Sequence, residues 1–198
     1  MSDVSDARDD RSHWEARYAE RGPELDRGSS PWVIQKCLTL PRSATIVDLA
    51  GGVGRHAEPL ALQGFRVVVV DFIPRAVATA VARHARVDGV VADVRALPLR
   101  AQSVDAIMIV SFLDRSVLPV IVDALAPGGV LVYETFTIAH LEVVERGAAR
   151  GPRNPTYLLQ PGELPRLVAP LEVQEHAEGL VIDSVGERHV ARVMAVKR

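Results

Sequence analysis

The residues best suited to chemistry are three acids, Asp48, Asp71 and Asp93, each of which follows a short apolar run. Asp48 stands just before a loop of small residues, 50–54 (AGGVG), and Asp71 ends the next apolar run. Glycines allow a backbone to pass close to a ligand where a side chain would collide. An acid at the tip of the second strand of a βαβ unit can accept hydrogen bonds from ribose hydroxyls. The pattern therefore predicts a nucleotide site whose first candidates are Asp48, Ala50, Gly51, Gly52, Gly54 and Asp71.

Two cofactors compete for this loop. Residues 52–57 (GVGRHA) fit the pattern G-x-G-x-x-G/A, and together with Asp71 they would suit NAD. Asp48 favours S-adenosylmethionine, because a carboxylate at this point attracts an ammonium group and repels a pyrophosphate. Asp93 follows a third short run and is placed to accept a hydrogen bond from an adenine amino group, with Val94 beside the ring. We therefore expect S-adenosylmethionine, with NAD as the less favoured alternative.

The order of the apolar runs indicates how these residues are positioned. Strands are predicted at residues 45–49, 66–70, 89–92, 105–110, 130–134, 171–177 and 190–197. Helical patterns separate the first five strands, which is typical of a parallel sheet with helices on both faces. No helix separates the last two, which favours an antiparallel hairpin. The expected fold is α/β: a doubly wound, seven-stranded, mostly parallel sheet that ends in a C-terminal hairpin.

Composition limits the function further. The chain has 198 residues, with 23 basic residues against 25 acidic ones, so we expect no sequence-independent nucleic-acid binding. Cys37 is the single cysteine, which excludes an internal disulfide and a multi-cysteine metal site, and no metal is expected. No apolar run approaches the roughly 20 residues that a membrane span needs. A cytoplasmic protein that acts on a small molecule is the expectation.

The N-terminal region is predicted to consist of two parts. Residues 1–10 are polar and are expected to form a disordered tail. Ser12 and Glu15 form a capping-box pattern, which predicts the start of a helix. We therefore expect a single domain over residues 11–198, with a helical cap over about 11–40.

Taken together, these segments resemble class I S-adenosylmethionine-dependent methyltransferases over nearly the whole chain, from about residue 14 to 196. The resemblance is strongest to small bacterial methyltransferases of the tellurite-resistance and thiopurine-methyltransferase-like type. Those proteins have a similar Trp-x-x-Arg-Tyr element, here residues 14–18, and a PGG turn, here residues 127–129. The family's glycine motif is acid-x-Gly-x-Gly-x-Gly. Ala50 takes the place of its first glycine, which is a mild departure.

The resemblance implies a role for each matching residue. Gly52 and Gly54 would pass beneath the methionine part of the cofactor, and Asp71 would hold the ribose. Arg17 would be a candidate partner for the methionine carboxylate. The other cofactor contacts implied are the cap residues Trp14 and Tyr18 at the methionine end, Phe72, Ile73, Asp93 and Val94 at the adenine, and Ser111 and Phe112 near the reactive methyl group.

The acceptor is less well defined. Methyl transfer from a sulfonium is an in-line SN2 displacement, and the acceptor atom can be sulfur, oxygen, nitrogen or a chalcogen. Residues 111–114 (SFLD) replace the Asn/Asp-Pro-Pro-Tyr string of many nucleic-acid amino-methyltransferases, which argues against base amines as acceptors. The sequence shows no obvious general base, so a noncatalytic cofactor-binding module stays as an alternative. Candidate substrate-facing residues are His13, Trp32, Arg115, Tyr133, Glu134, Phe136, Arg153 and Tyr157.

Overall fold

The computed structural model describes residues 12, 14–16, 18–20, 28–97 and 99–198. Its strands in chain order are β1 (Thr45–Leu49), β2 (Arg66–Asp71), β3 (Val87–Val91), β4 (Val104–Val110), β5 (Leu125–Phe136), β6 (Glu172–Asp183) and β7 (Gly186–Val196). They form one sheet in the order β3-β2-β1-β4-β5-β7-β6. The first five strands are parallel, whereas β7 runs antiparallel to both β5 and β6. The expected doubly wound sheet with a C-terminal hairpin is confirmed.

Helices cover both faces of the sheet. They are α1 (Pro31–Leu38), α2 (Ala57–Leu62), α3 (Pro74–Arg83), α4 (Leu118–Ala124), α5 (His140–Glu145) and α6 (Leu164–Leu167). Side chains alternate across the central strand β4, so that Met108 packs in the layer with Phe65 while Ile109 packs in the layer with Ile121. Because both of its faces are covered, β4 is apolar almost throughout, as strands of parallel sheets usually are.

The bounds of β1 agree with the prediction, but other bounds differ. β3 was predicted at residues 89–92 and begins two residues earlier, at Val87–Val91. β5 was predicted at residues 130–134 and is longer at both ends, at Leu125–Phe136. The hairpin strands are also longer, since β6 reaches Asp183 and β7 begins at Gly186. The earlier start of β5 follows from the pairing of Leu125 with Val104 of β4, and the other extensions follow from pairing among β5, β6 and β7, which local sequence patterns do not report. The expected tail at residues 1–10 lies outside the described residues.

The strand order changes direction between β1 and β4. From β1 the chain moves outward to β2 and β3, and then crosses back to β4 on the other side of β1. In open parallel sheets such a switch point leaves a crevice at the carboxyl ends of the two central strands, where ligands bind. The glycine loop follows β1 and Ser111 follows β4, so both lie at this crevice.

Candidate cofactor site

The glycine loop after β1 is held in an unusual backbone conformation. Ala50, Gly52 and Gly54 have positive φ angles of 53°, 56° and 75°. A Cβ atom at Gly54 would lie 2.8 Å from the Cβ of Ala80, so this position has no room for a side chain. Ala50 adopts the left-handed conformation despite its Cβ, which costs roughly 1–2 kcal/mol. The departure from the family motif at this position therefore leaves the loop conformation intact.

Asp71 holds the loop from the tip of β2. Its Oδ2 accepts a hydrogen bond from the Gly52 amide at 2.9 Å, and its Oδ1 accepts one from the Ile73 amide at 3.0 Å. The side chain is 4% exposed, and burial raises its pKa while these amides lower it. Each carboxylate oxygen has further lone-pair capacity, so the group can still accept hydrogen bonds from two ribose hydroxyls.

Asp48 is the second acid of the site, and it is 1% exposed. Its Oδ2 has no hydrogen-bond partner among the described residues. Burial raises the pKa of the carboxyl to about 7, the charge of Arg55 lowers it, and Asp71 raises it further. A Cβ at Gly51 would lie 2.6 Å from the Asp48 carboxyl carbon, so the acid lies directly against the glycine loop. A buried carboxylate oxygen that has no partner among the described residues fits a ligand that brings a cation, such as the ammonium group of S-adenosylmethionine.

The N-terminal cap contacts the same loop. The rings of Trp14 and Tyr18 lie 5.9 Å apart and pack, with Phe72, against a small cluster that contains Val53 and Ile73. A Cβ at Gly52 would lie 2.5 Å from the Tyr18 hydroxyl oxygen. Trp14 and Tyr18 therefore contact the glycine loop, and their expected closure over the methionine end of the cofactor stays a prediction. The candidates Arg17 and His13 lie outside the described residues.

Asp93 lies beyond β3, where the sequence predicted the adenine contact. Its carboxylate caps the turn Val94–Ala96 by accepting the Arg95 amide at 2.9 Å. The same carboxylate pairs with the Arg95 guanidinium through contacts of 2.8–3.2 Å. Val94 is 9% exposed. An adenine amino group at Asp93 would therefore share the carboxylate with Arg95, a partner that spacing did not predict.

Four of the substrate candidates are engaged in structural contacts. Arg115 forms a bidentate pair with Glu163 at 2.6 and 2.9 Å and also donates to two carbonyls of the loop before α6. The Trp32 indole nitrogen donates to Glu175 of β6 at 2.9 Å, which fastens α1 to the hairpin. These contacts give Arg115 and Trp32 structural roles, and a substrate contact of either side chain stays a prediction.

Tyr133 and Glu134 are the other two substrate candidates that make structural contacts. Tyr133 is 0% exposed, and its hydroxyl donates to the Phe112 carbonyl at 2.9 Å. Burial raises its pKa, so the phenol stays protonated and supports the loop after β4. Glu134 is 1% exposed and is bonded to two arginines and a serine. Neither side chain has the exposed surface that a substrate contact requires.

The remaining candidates surround the carboxyl ends of β4 and β5. Ser111 is exposed and has a φ of +58°, while Phe112 and Phe136 are half-buried. The Phe136 ring packs on His140 with a centroid distance of 4.4 Å. Arg153 and Tyr157 lie exposed on the loop that precedes α6. The ends of β4 and β5 thus carry two half-buried aromatic rings, and the exposed Ser111 hydroxyl accepts a hydrogen bond from Arg55 at 3.3 Å.

A buried polar cluster links these parts, and sequence reasoning did not find it. The Ser30 hydroxyl donates to Glu134 at 2.9 Å, and the Ser30 amide donates to His56 Nε2 at 3.1 Å. Arg188 and Arg192 of β7 donate to the two carboxylate oxygens of Glu134 at 2.5 and 2.7 Å. The cluster fastens the residues before α1 to the glycine loop and to β5. The only sequence signal was an acid, Glu134, at the end of an apolar strand.

Cys37 has no catalytic geometry. It is 0% exposed on α1, and burial raises its pKa to about 12, so its thiol stays protonated. The described residues contain no group of three or more potential ligands that could hold a metal ion. Within those residues, no helix is both long enough and apolar enough to cross a membrane.

Comparison with known proteins identifies the fold family. Residues 46–129, which include the glycine loop and the three acids, match a family model described as a methyltransferase domain. The chain belongs to the class I S-adenosylmethionine-dependent methyltransferases. The expected family is confirmed, and the cofactor of its methyltransferase domain is S-adenosylmethionine rather than NAD.

One relative is similar in sequence, and one solved structure is similar in fold over nearly the whole chain. A ubiquinone biosynthesis O-methyltransferase from Methylocella silvestris is 31% identical over 158 residues, or 70% of this chain and 61% of its own. The chain thus spans about three fifths of this relative's length. A TehB-like S-adenosylmethionine-dependent methyltransferase from Corynebacterium glutamicum has a similar fold, with 20% identity and a TM-score of 0.63 over 94% of this chain and 100% of its own.

A third protein has been solved with the cofactor. The phosphoethanolamine N-methyltransferase 2 of Haemonchus contortus, in complex with S-adenosyl-L-methionine, superposes with a TM-score of 0.64 and 15% identity. The match covers 83% of this chain and 51% of that protein. At 15% identity the similarity shows that the two proteins share a fold, and it carries no information about the substrate of this chain.

Asp48 gives the site a testable pH dependence. We expect the cofactor ammonium to bind the ionised carboxylate, so that below a pKa of about 7 binding releases the Asp48 proton. We expect the affinity for S-adenosylhomocysteine, measured by calorimetry, to weaken about tenfold per pH unit below this pKa. An Asp48→Asn variant should bind more weakly and lose this pH dependence. An equally steep dependence in that variant would contradict the role of Asp48.

The same shift has a consequence for the stability of the ligand-free protein. The folded-state pKa of Asp48 lies above its ordinary value of 3.8, so the folded state binds more protons between about pH 4 and 7. At this residue the free energy of unfolding therefore falls as the pH rises through that window. Arg55 and Asp71 are the charged groups that modulate the shift.

Proposed function

We propose that this methyltransferase domain transfers a methyl group to a small-molecule acceptor by in-line displacement. S-adenosylmethionine, when bound, supplies an electrophilic methyl group on a positively charged sulfonium. Loss of that methyl group converts the sulfonium into a neutral thioether. An acceptor lone pair would bond to that methyl carbon as the carbon–sulfur bond breaks, and an acidic acceptor would release its proton. The domain's contribution is positioning, which can supply several kcal/mol of barrier reduction.

The proposal rests on the carboxyl ends of β4 and β5, beside the glycine loop. Ser111 is exposed there, and the rings of Phe112 and Phe136 at the ends of the same two strands are half-buried. The cap residues Trp14 and Tyr18 contact the glycine loop. Aromatic side chains with a few polar groups among them are typical of small-molecule sites, which favours a small, partly apolar acceptor. The curated relative, which is described as an O-methyltransferase of ubiquinone biosynthesis, supports an acceptor of this size.

Three ionisable side chains near this crevice, all in the described part of the chain, are poorly suited to act as a general base. Glu134 already accepts from Ser30 and from two arginines, and the Tyr133 hydroxyl is committed to a carbonyl. His140 is 0% exposed, and its Nδ1 accepts from the His189 amide at 3.3 Å, so the neutral ring carries its proton on Nε2. We therefore infer an acceptor that is nucleophilic near neutral pH without assistance, such as a thiol, an acidic phenol or a chalcogen anion.

An acceptor panel tests the proposal. Purified protein is incubated with S-adenosylmethionine and with thiols, phenols, amines and chalcogen oxyanions, and product is followed by release of S-adenosylhomocysteine and by mass spectrometry. We expect turnover of thiols or acidic phenols, with a rate that rises with pH as the acceptor itself ionises. Asp71→Ala serves as the control that should lose turnover at low cofactor concentration.

Two outcomes of the acceptor panel would contradict the proposal. Tight cofactor binding without turnover of any acceptor would contradict the proposal and favour a noncatalytic cofactor-binding module. Turnover confined to alkyl amines, which are protonated near neutral pH, would show that a protein base takes part and would contradict the inferred acceptor class.

A further inference from the structure

A segment over residues 150–159, which we call the crossing segment, is anchored beside the carboxyl ends of β4 and β5. On the side of β4, Arg115 in the following turn donates to the Leu158 carbonyl at 3.0 Å. On the side of β5, the Leu159 amide donates to the Phe136 carbonyl at 3.0 Å. The end of the crossing segment is therefore fixed to both strands that border the crevice.

The start of the crossing segment lies against the ring of His140, the first residue of α5. A Cβ atom at Gly151 would collide with His140 Nε2 and would lie 2.7 Å from its Cδ2. Gly151 does not have a positive φ angle, so the close contact, and not the backbone conformation, excludes a side chain here. A larger residue at this position must push the segment away from the ring.

His140 is held from two other directions. Its ring is 0% exposed and packs on Phe136 with a centroid distance of 4.4 Å. Its Nδ1 accepts a hydrogen bond from the His189 amide of β7 at 3.3 Å. The imidazole is thus a fixed spacer between Phe136, at the end of β5, and the backbone of Gly151.

The crossing segment also carries side chains that a small molecule can reach. Arg153 is exposed, and Tyr157 is 39% exposed. Phe136, on the sheet side of the His140 ring, is half-buried. The distance between these side chains and the end of β5 therefore depends on how closely Gly151 approaches the imidazole.

We propose that the crossing segment forms the acceptor side of the crevice, and that His140 is a positioning residue that sets its distance from Phe136. His140 acts through Gly151 and does not touch the acceptor. This assignment rests on the proposed function, because it requires an acceptor beside β4 and β5. It adds a specificity determinant to that function, since the His140–Gly151 contact limits the width of the acceptor.

The experiment compares two acidic thiols of different width, thiophenol and naphthalenethiol, as methyl acceptors. Values of kcat and KM are measured at saturating S-adenosylmethionine for the wild type, Gly151→Ala and the double variant Gly151→Ala/His140→Ala. In Gly151→Ala the added methyl group pushes the segment outward. We expect the ratio of kcat/KM values to shift towards naphthalenethiol by about threefold or more, mainly through KM, with an unchanged cofactor dissociation constant.

The double variant tests whether Gly151 acts through His140. Its added methyl group occupies part of the space that the imidazole has left, so the ratio should return towards the wild-type value. Gly89→Ala is the matched control, because it places a Cβ 2.7 Å from Val81 of α3 at the far edge of the sheet. Gly89→Ala should leave the ratio unchanged.

Four results would overturn the assignment. The first is an unchanged ratio in a folded Gly151→Ala protein, and the second is an equal shift in Gly89→Ala. The third is a double variant whose ratio stays at the Gly151→Ala value. These three leave the proposed function standing. The fourth, a wild type that binds S-adenosylmethionine but methylates neither thiol, would overturn the inferred acceptor class as well.

Thermal unfolding without ligand shows whether each variant is folded. If Gly151→Ala does not fold, the single variant His140→Ala takes its place. Loss of the imidazole leaves the start of the crossing segment without its support, so discrimination between the two thiols should fall. Wild-type discrimination in a folded His140→Ala protein would contradict the positioning role.

Discussion

Replacing Asp71 by alanine is expected to weaken the binding of S-adenosylhomocysteine about a hundredfold or more. The carboxylate would accept two ribose hydroxyls, and a hydrogen bond to a charged group contributes about 1.5–3 kcal/mol, where 1.4 kcal/mol corresponds to a factor of ten. The variant also leaves the Gly52 and Ile73 amides without their acceptor, so the loop loses its order. Calorimetric titration of the purified variant measures the effect.

Two further variants make the result interpretable. Asp71→Asn keeps the shape of the side chain and one acceptor oxygen, so its affinity should lie between those of the wild type and the alanine variant. Asp88→Ala removes an exposed acid of β3 that pairs with Arg66, and it should bind as the wild type does. Wild-type affinity in a folded Asp71→Ala protein would contradict the assignment of Asp71 to the ribose.

Replacing Glu134 by alanine is expected to destabilise the fold by about 3 kcal/mol, because it removes the buried acid shared by Arg188 and Arg192 and leaves them Asp183, which lies 2.7 and 3.8 Å from their guanidinium groups. The side chains of Arg188 and Arg192 are only 7% and 14% exposed, and Ser30 would also lose its acceptor. For a chain of this size the midpoint of thermal unfolding should fall by on the order of 10 °C. Thermal and urea unfolding without ligand measure the change.

The control for this prediction lies on the edge strand β6. Glu172 pairs with Arg198 at 2.5 Å, and the partners are 40% and 80% exposed. Exposed ion pairs contribute about 0–1 kcal/mol, so Glu172→Ala should hardly move the midpoint. Glu134→Gln, which retains an acceptor for Ser30, should fall between the two variants. Equal stability of Glu134→Ala and Glu172→Ala would contradict a structural role for the buried cluster.

Local sequence patterns were enough to predict the order of the strands and helices and the position of the glycine loop. The bounds of β1 at Thr45–Leu49 were predicted correctly, because an apolar run flanked by polar residues and glycines is read from neighbours in the chain. The places of Asp48 and Asp71 before and after the glycine loop followed in the same way, and the structure buries both acids. The expected sheet and family followed from the alternation of strands and helices together with these motifs.

The surroundings of the side chains required the tertiary structure. Trp32, Arg115, Tyr133 and Glu134 were predicted as substrate contacts because their types suit such contacts, but each is engaged by a distant residue. Tyr133 and Phe112 are 21 positions apart in the chain, and Trp32 and Glu175 are 143 apart. No periodic pattern encodes a pairing of that kind.

The sequence by itself thus determined the order of the elements, the glycine loop and the acids that flank it, since each depends on residues that are close in the chain. Only the tertiary structure showed which polar groups are hydrogen-bonded to other residues of the protein. Ser30 meets His56 and Glu134 only when segments 26 and 104 positions apart come together. The same convergence places Arg55 beside Ser111, 56 positions away, and leaves the Asp48 Oδ2 without a hydrogen-bond partner in the described part of the chain. Burial and long-range contact, which arise only on folding, therefore separate binding groups from structural ones.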